Sequence, residues 1–221
     1  PILSGLVGSE MCIRDSTGRV KNVKIQGDFG EDQVSGVDIR KKMNLKSTLV
    51  RFKLIEINEK FKIFQNEMSV LDIGAAPGSW SQYVSKVVKN GTLISIDLKK
   101  MENIQNSIQI EGDFTDFKTQ SKIKKYFKDE INVVLSDMAV NTTGIKNLDA
   151  IQTGELCKEA MIFAKDFLSK KGIFVSKIFM GSSFNEIVAL GKKIFKEVKI
   201  FKPKSSRKDS KESFIICKNL R

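Results

Sequence analysis

The stretch MSVLDIGAAPGSWSQYV, residues 68–84, decides how the rest of the chain is read. A short apolar run (Val70, Leu71, Ile73) stops at Gly74. A turn of small residues follows (Ala75, Ala76, Pro77, Gly78), and a segment with helical spacing opens at Ser79. That order is a strand, a tight turn with no side chains in the way, and a helix N-terminus. Such a turn lets a ligand come close to the main chain, and the helix start offers unpaired N–H groups. In open α/β sheets a nucleotide-like ligand sits here, outside the carboxyl end of the first strand. A βα turn that holds no ligand has the same outline.

The spacing narrows the choice of ligand. Gly74 to Gly78 is G-x-x-x-G with Pro77 inside it, not the G-x-G-x-x-G that cradles a pyrophosphate. Asp72 lies just before the turn, and the next strand, TLISID, ends in Asp97. A carboxylate at the end of a second strand accepts hydrogen bonds from both ribose hydroxyls of an adenosine. The combination fits S-adenosyl-L-methionine better than a dinucleotide.

Size and composition set the frame. With 221 residues, 41% of them hydrophobic, the chain suits one domain with a real core. No apolar run approaches the ~20 residues of a membrane span. A net charge of +12 points to a polyanionic partner, nucleic acid first, although a lysine-rich proteome gives the same balance. Histidine is absent, which removes imidazole as a base and as a metal ligand. The three cysteines (Cys12, Cys157, Cys217) are far apart and lack C-x-x-C spacing, so neither a metal site nor a disulfide framework is expected. This usage fits a reducing cytoplasm.

Taken in order, residues 1–16 do not read as part of the fold. They look like a translated sequencing adapter, a non-native leader. Glu10 and the lack of an A-x-A site argue against a signal peptide. Residues 17–36 are polar and Gly-bearing and read as a flexible segment, so a single domain is expected over 37–221. Between Val37 and Phe64 an amphipathic basic pattern predicts a helix, with Lys41, Lys42, Lys46, Arg51 and Lys53 among Leu45, Leu49, Phe52, Leu54 and Ile57. Strands are expected at 92–97, 106–111, 131–136 and 172–179, with helices at 119–129, 149–169 and 183–195. Two further strands, near 197–202 and 212–218, have only a polar connection between them and should form an antiparallel hairpin. With the first strand this makes an α/β, Rossmann-like, mostly parallel seven-stranded sheet with one antiparallel strand near its edge and helices on both faces. That is the layout of the class I methyltransferases.

Within this frame Lys177 is the outlier, a charged residue inside the apolar strand FVSKIF. A lysine there is costly unless it is paired or functional. Asp137 follows the neighbouring strand at the end next to the ligand cleft, so both can reach one point. A purely structural ion pair between them is the competing reading, and for Asp137 alone so is capping of the following loop. If a methyl group goes from a sulfonium to a ribose hydroxyl, the protein must align the two and supply a base, which here means Asp, Glu or Lys.

Four motifs then carry a resemblance. GAAPGSW, SDMAVN, FVSKIFMG and SSRKDSKESFII are similar, in order and spacing, to those of the FtsJ/RrmJ (RlmE) family of ribosomal RNA large-subunit 2′-O-ribose methyltransferases, over about residues 46–217. The resemblance implies a catalytic tetrad at Lys53, Asp137, Lys177 and Glu212, with Lys177 as proton acceptor. It implies cofactor contacts at Gly78, Trp80, Asp97, Asp113 and Asp137. Two lysines held together repel, which favours a neutral amine on one of them. Asp113, after the third strand, is placed to bond the adenine amino group, and Phe114 to pack on the ring. Two positions depart from the family pattern: Ser79 stands for its usual Gly and Val140 for its usual Pro.

The expected activity is therefore methylation, dependent on S-adenosyl-L-methionine, of a uridine in 23S (large-subunit) ribosomal RNA during subunit maturation. The expected partner is the rRNA within the ribosomal particle, with the protein monomeric, cytoplasmic and off the membrane. Nine basic residues between Lys192 and Lys211 would join Lys41, Lys42, Lys46 and Arg51 in a basic rim that grips phosphates. A non-catalytic RNA-binding assembly factor is the alternative, disfavoured by the complete tetrad. A nicotinamide oxidoreductase is disfavoured by Pro77.

Overall fold

The structure is a computed structural model that describes residues 11–14, 20–27, 30–35, 48–127, 130–139, 146–206 and 210–221. The chain divides into two units, residues 1–48 and 49–221. The first holds a three-stranded antiparallel sheet of β1 (Met11–Arg14), β2 (Val20–Gly27) and β3 (Gly30–Ser35) in that order. Strands thus occupy part of the stretch expected as leader and flexible segment: β1 pairs with β2, and β2 with β3. The pattern behind the hairpin is the alternation of Val23 and Ile25 with polar residues, and Gly27 opposite Gly30 across a two-residue connection. The expected domain start at 37 lies outside the described residues.

The second unit opens with α1 (Thr48–Phe61), which carries the described part of the helix expected ahead of the first large-sheet strand. Then come β4 (Ser69–Ile73), α2 (Ser79–Val87), β5 (Thr92–Asp97), β6 (Ile108–Glu111), α3 (Phe117–Tyr126) and β7 (Ile131–Ser136). The chain continues through α4 (Lys146–Phe167), β8 (Leu168–Phe179), α5 (Phe184–Ile194), β9 (Phe195–Phe201) and β10 (Glu212–Leu220). Helix α3 starts two residues before its expected position because Asp116 caps it, its Oδ2 accepting the Thr119 N–H at 3.0 Å.

Seven strands form one sheet in the order β6-β5-β4-β7-β8-β10-β9. The first five are parallel, whereas β10 runs antiparallel to both β8 and β9. One reversed strand therefore lies next to the edge, as expected. Side chains alternate across each strand. Val70, Val133, Leu135, Ile173, Val175, Phe214 and Ile216 pack with Leu54 and Ile57 of α1 and Trp80 and Val84 of α2. Leu71, Ile73, Val134, Phe174, Ile178 and Ile215 pack on the other face with α3, α4 and α5. The same period of two assigns Lys177 and Glu212 to the α1/α2 face.

Candidate active site

The turn after β4 is built from main chain. Gly74 and Ala75 donate to the Ile96 carbonyl (2.9 and 3.0 Å), and Ala76 N–H donates to Asp97 Oδ2 (2.9 Å). Asp97 Oδ1 accepts the Lys99 N–H at 2.8 Å, so the carboxylate is oriented at both oxygens. Gly74 has φ +69°, and a Cβ there would lie 2.1 Å from Met138 Cγ; Gly78 has φ +102°. Ala76-Pro77 is a cis peptide. A Cβ at Gly74 would force Met138 to shift and would sit on a strained backbone.

A cleft of about 940 Å³ opens at the carboxyl ends of β4, β5, β6 and β7. Gly74, Ala76, Asp97, Asp113, Phe114 and Asp137 line it, with Leu98 and Met138 as apolar walls. Asp113 is exposed, and its Oδ1 accepts the N–H and hydroxyl of Thr115 (2.8 and 2.7 Å). Phe114 sits at the cleft floor, edge-on to Phe163 with ring centroids 5.7 Å apart. Gly78 and Trp80 are not among the lining residues. Trp80, 2% exposed, lies in the core against Phe214, at 5.8 Å between centroids. Its large apolar ring fills the layer under α2, and the residue type alone does not show which side of the helix it faces.

Beside the cleft the four tetrad residues come together. Lys177, 9% exposed, pairs with Asp137 Oδ1 at 3.0 Å and donates to the Asp137 carbonyl at 2.6 Å. Lys53 on α1 forms an ion pair with Glu212 at the start of β10. The Asp137 carboxyl feels all three of its partners. Burial raises its pKa, Lys177 opposes that most strongly, Glu212 adds to the rise and Lys53 opposes it. Burial wins. Removing one member of such a pair leaves a charge without its counter-ion, at a cost of about 3–5 kcal/mol.

A buried polar chain under the turn has no counterpart in the sequence reading. Ser81 Oγ donates to Asp72 Oδ2 (2.6 Å), and hydroxyl contacts continue to Ser95 (2.6 Å) and Ser107 (2.7 Å). Burial lifts the Asp72 carboxyl to about 7. The signal for it was Asp72 itself, a carboxylate in an otherwise apolar strand. Of the expected basic rim, Lys192, Lys193, Lys196, Lys199, Lys202, Lys204 and Lys211 are exposed. Arg51 instead donates to Gln82 of α2. Lys41, Lys42, Lys46, Arg207 and Lys208 lie outside the described residues, as does Val140. Among the described residues no cluster of acidic or cysteine side chains is placed to hold a metal ion, and no helix is long and apolar enough to cross a membrane.

Comparisons with known proteins point to one family. The chain is 72% identical over 170 residues to the ribosomal RNA large subunit methyltransferase E of Pelagibacter ubique, covering 77% of this chain and 84% of that one. It is 44% identical to the enzyme of the same name from Rickettsia bellii, covering 76% and 77%. A Plasmodium falciparum crystal structure assigned as a ribosomal RNA methyltransferase superposes with a TM-score of 0.70 at 31% identity, covering 79% of this chain and 98% of that one. Human methyltransferase-like protein 13, solved with S-adenosylhomocysteine, shares the fold alone (TM-score 0.53, 11% identity, covering 77% and 80%). Residues 51–220 match the FtsJ-like methyltransferase family; the chain belongs to that family, whose methyl donor is S-adenosyl-L-methionine.

Proposed function

We propose that this chain methylates the ribose 2′-hydroxyl of a uridine in 23S ribosomal RNA, with Lys177 as general base, during maturation of the large subunit. The observation that carries the reading is Lys177 itself, a buried lysine on β8 held by Asp137 at the cleft wall, with the Lys53–Glu212 pair beside it. The names of the relatives support ribosomal RNA as the substrate class. The exposed lysines of β9 and the β9–β10 connection supply the charge to hold phosphates, and such binding weakens steeply with salt. The protein acts as a monomer in the cytoplasm, on RNA within the ribosomal particle.

S-adenosyl-L-methionine, when bound, supplies an electrophilic methyl group on a sulfonium. The residues of the cleft fit it: the oriented Asp97 carboxylate suits ribose hydroxyls, Asp113 and Phe114 suit an adenine, and the bare main chain at Gly74 allows close approach. Gly78 shapes the turn, and Trp80 supports α2 from the core side. Lys177 Nζ, as a neutral amine, would take the proton of the 2′-hydroxyl while the methyl carbon leaves sulfur for that oxygen. Asp137 holds Lys177 in place, and Glu212 pairs with the Lys53 ammonium.

The test is transfer of labelled methyl to undermodified large subunits. Lys177→Ala should lose turnover while binding S-adenosyl-L-methionine within a few-fold of the parent, and Lys177→Met, which keeps the aliphatic stem, should behave alike. Full turnover in either variant rejects Lys177 as the base. An inactive parent that still binds the particle supports the assembly-factor reading instead.

A further inference from the structure

Helix α1 meets the connection between β9 and β10 at two places. Lys53 reaches Glu212 at the start of β10. One turn further along, the Glu56 carboxylate holds the other end of the same connection: the Lys204 N–H donates to Oε2 at 2.5 Å and the Ser205 N–H to Oε1 at 2.9 Å. Residues three apart share a helix face, so the two contacts are side by side. The turn that presents these amides is closed by the Ser206 N–H on the Pro203 carbonyl (3.0 Å). Consecutive main-chain N–H groups converging on one anion form a nest, and bonds to a charged acceptor are about twice as strong as neutral ones.

The far end of the connection is tied as well. Lys202 Nζ donates to the Ser210 carbonyl (2.7 Å), the Glu212 N–H to Ser210 Oγ (3.1 Å) and the Met180 N–H to the Lys211 carbonyl (2.8 Å). Glu212 therefore sits between a segment anchored to β8 and a turn anchored to α1. Glu56 lines no part of the cleft, so it has no direct contact to offer a ligand there.

We propose that Glu56 is a positioning residue for methyl transfer: by gripping the 203–206 turn it fixes α1 against the start of β10 and sets Glu212 on Lys53. This rests on the proposed function above. Loss of the grip lets the Lys53–Glu212 pair drift while the cofactor cleft, built from β4 to β7, stays intact.

A double-mutant cycle in the full chain tests this, with Glu56→Gln, Glu212→Gln and the two combined. Glu56→Gln keeps the shape of the side chain and turns one acceptor into a donor facing an N–H. It should lower kcat by about 10- to 100-fold, the scale of a small misplacement, with the Kd for S-adenosyl-L-methionine unchanged within twofold. The combined variant should be no slower than Glu212→Gln alone, because one substitution acts through the other. Two losses that multiply, or a kcat unchanged in Glu56→Gln, overturn the proposal. Glu56→Asp, which keeps the charge on a shorter arm, should recover part of the rate, and no recovery also counts against it. An inactive parent, or full turnover in Lys177→Ala, speaks against the reaction itself, whereas an active parent with an additive cycle speaks against Glu56 alone.

Discussion

Replacing Asp72 with Asn removes a buried ionisable group and keeps its shape. Asp72 is 1% exposed beneath the glycine turn, with its Oδ2 accepting the Ser81 hydroxyl. Burial lifts its carboxyl from 3.8 to about 7; the Ser81 hydrogen bond opposes the rise and the negative charge of Asp137 adds to it. Between those two values the folded chain holds a proton that the unfolded chain has released. Stability therefore falls as pH rises, by about 1.4 kcal/mol per unit. The contribution is complete below the unfolded value and gone above the folded one, so from about pH 5 to about pH 7 roughly 3 kcal/mol is lost. Asp72→Asn has no such proton, and its stability should be flatter by that amount over this range. Above about pH 7 the two curves should run parallel. Urea unfolding followed by the fluorescence of Trp80, the one tryptophan, measures both. The Asp137 carboxyl is also raised by burial and is present in both proteins, so only its charge coupling to Asp72, smaller than the effect of burial, enters the difference. Curves that are parallel from acid to neutral pH would refute a burial-driven rise at Asp72.

Two further substitutions test the turn and the core beneath it. Gly74→Ala places a Cβ into Met138 at a φ of +69°, so calorimetry should show affinity for S-adenosyl-L-methionine down by about tenfold or more and stability down by about 1–3 kcal/mol; unchanged affinity means the main chain need not approach the ligand. Trp80→Ala should cost about 3–5 kcal/mol in denaturant unfolding, whereas Trp80→Phe should bind the cofactor as the parent does. A cofactor defect confined to Trp80→Phe, with stability intact, would return Trp80 to the list of ligand contacts.

Strands β4, β5 and β7 were legible because each is a compact apolar run closed by Gly, Asp or Ser. The runs TLISID and INVVLS end at the very residues where β5 and β7 end. The reversed strand was legible from the missing helix between β9 and β10. Lys177, with Asp137 beside it, was legible because a lysine inside a buried strand advertises its own cost, whereas Lys53 and Glu212 came only through the family resemblance. What stayed hidden depends on direction in space. Trp80 and Ser81 are adjacent in sequence, and both are buried, one in an apolar layer and the other on a buried carboxylate. The β2–β3 hairpin was hidden because its strands are short and mostly polar, with Lys21, Lys24, Glu31 and Asp32 among few apolar residues. Glu56 carries no signal at all, because its partners are main-chain amides 148 and 149 residues away.

The reversed strand also sets an order of assembly. Among the described residues of the large sheet β9 pairs only with β10, and β10 alone separates it from β8. During synthesis β9 therefore emerges with no strand to join, and β8, apolar from Ile173 to Val175 and again at Ile178 and Phe179, keeps a bare flank until β10 slides in between. Insertion of a late strand into a waiting gap is slow, and an open apolar flank invites pairing with other nascent copies. The same insertion delivers Glu212 to Lys53, so that ion pair cannot form before the vulnerable interval has closed.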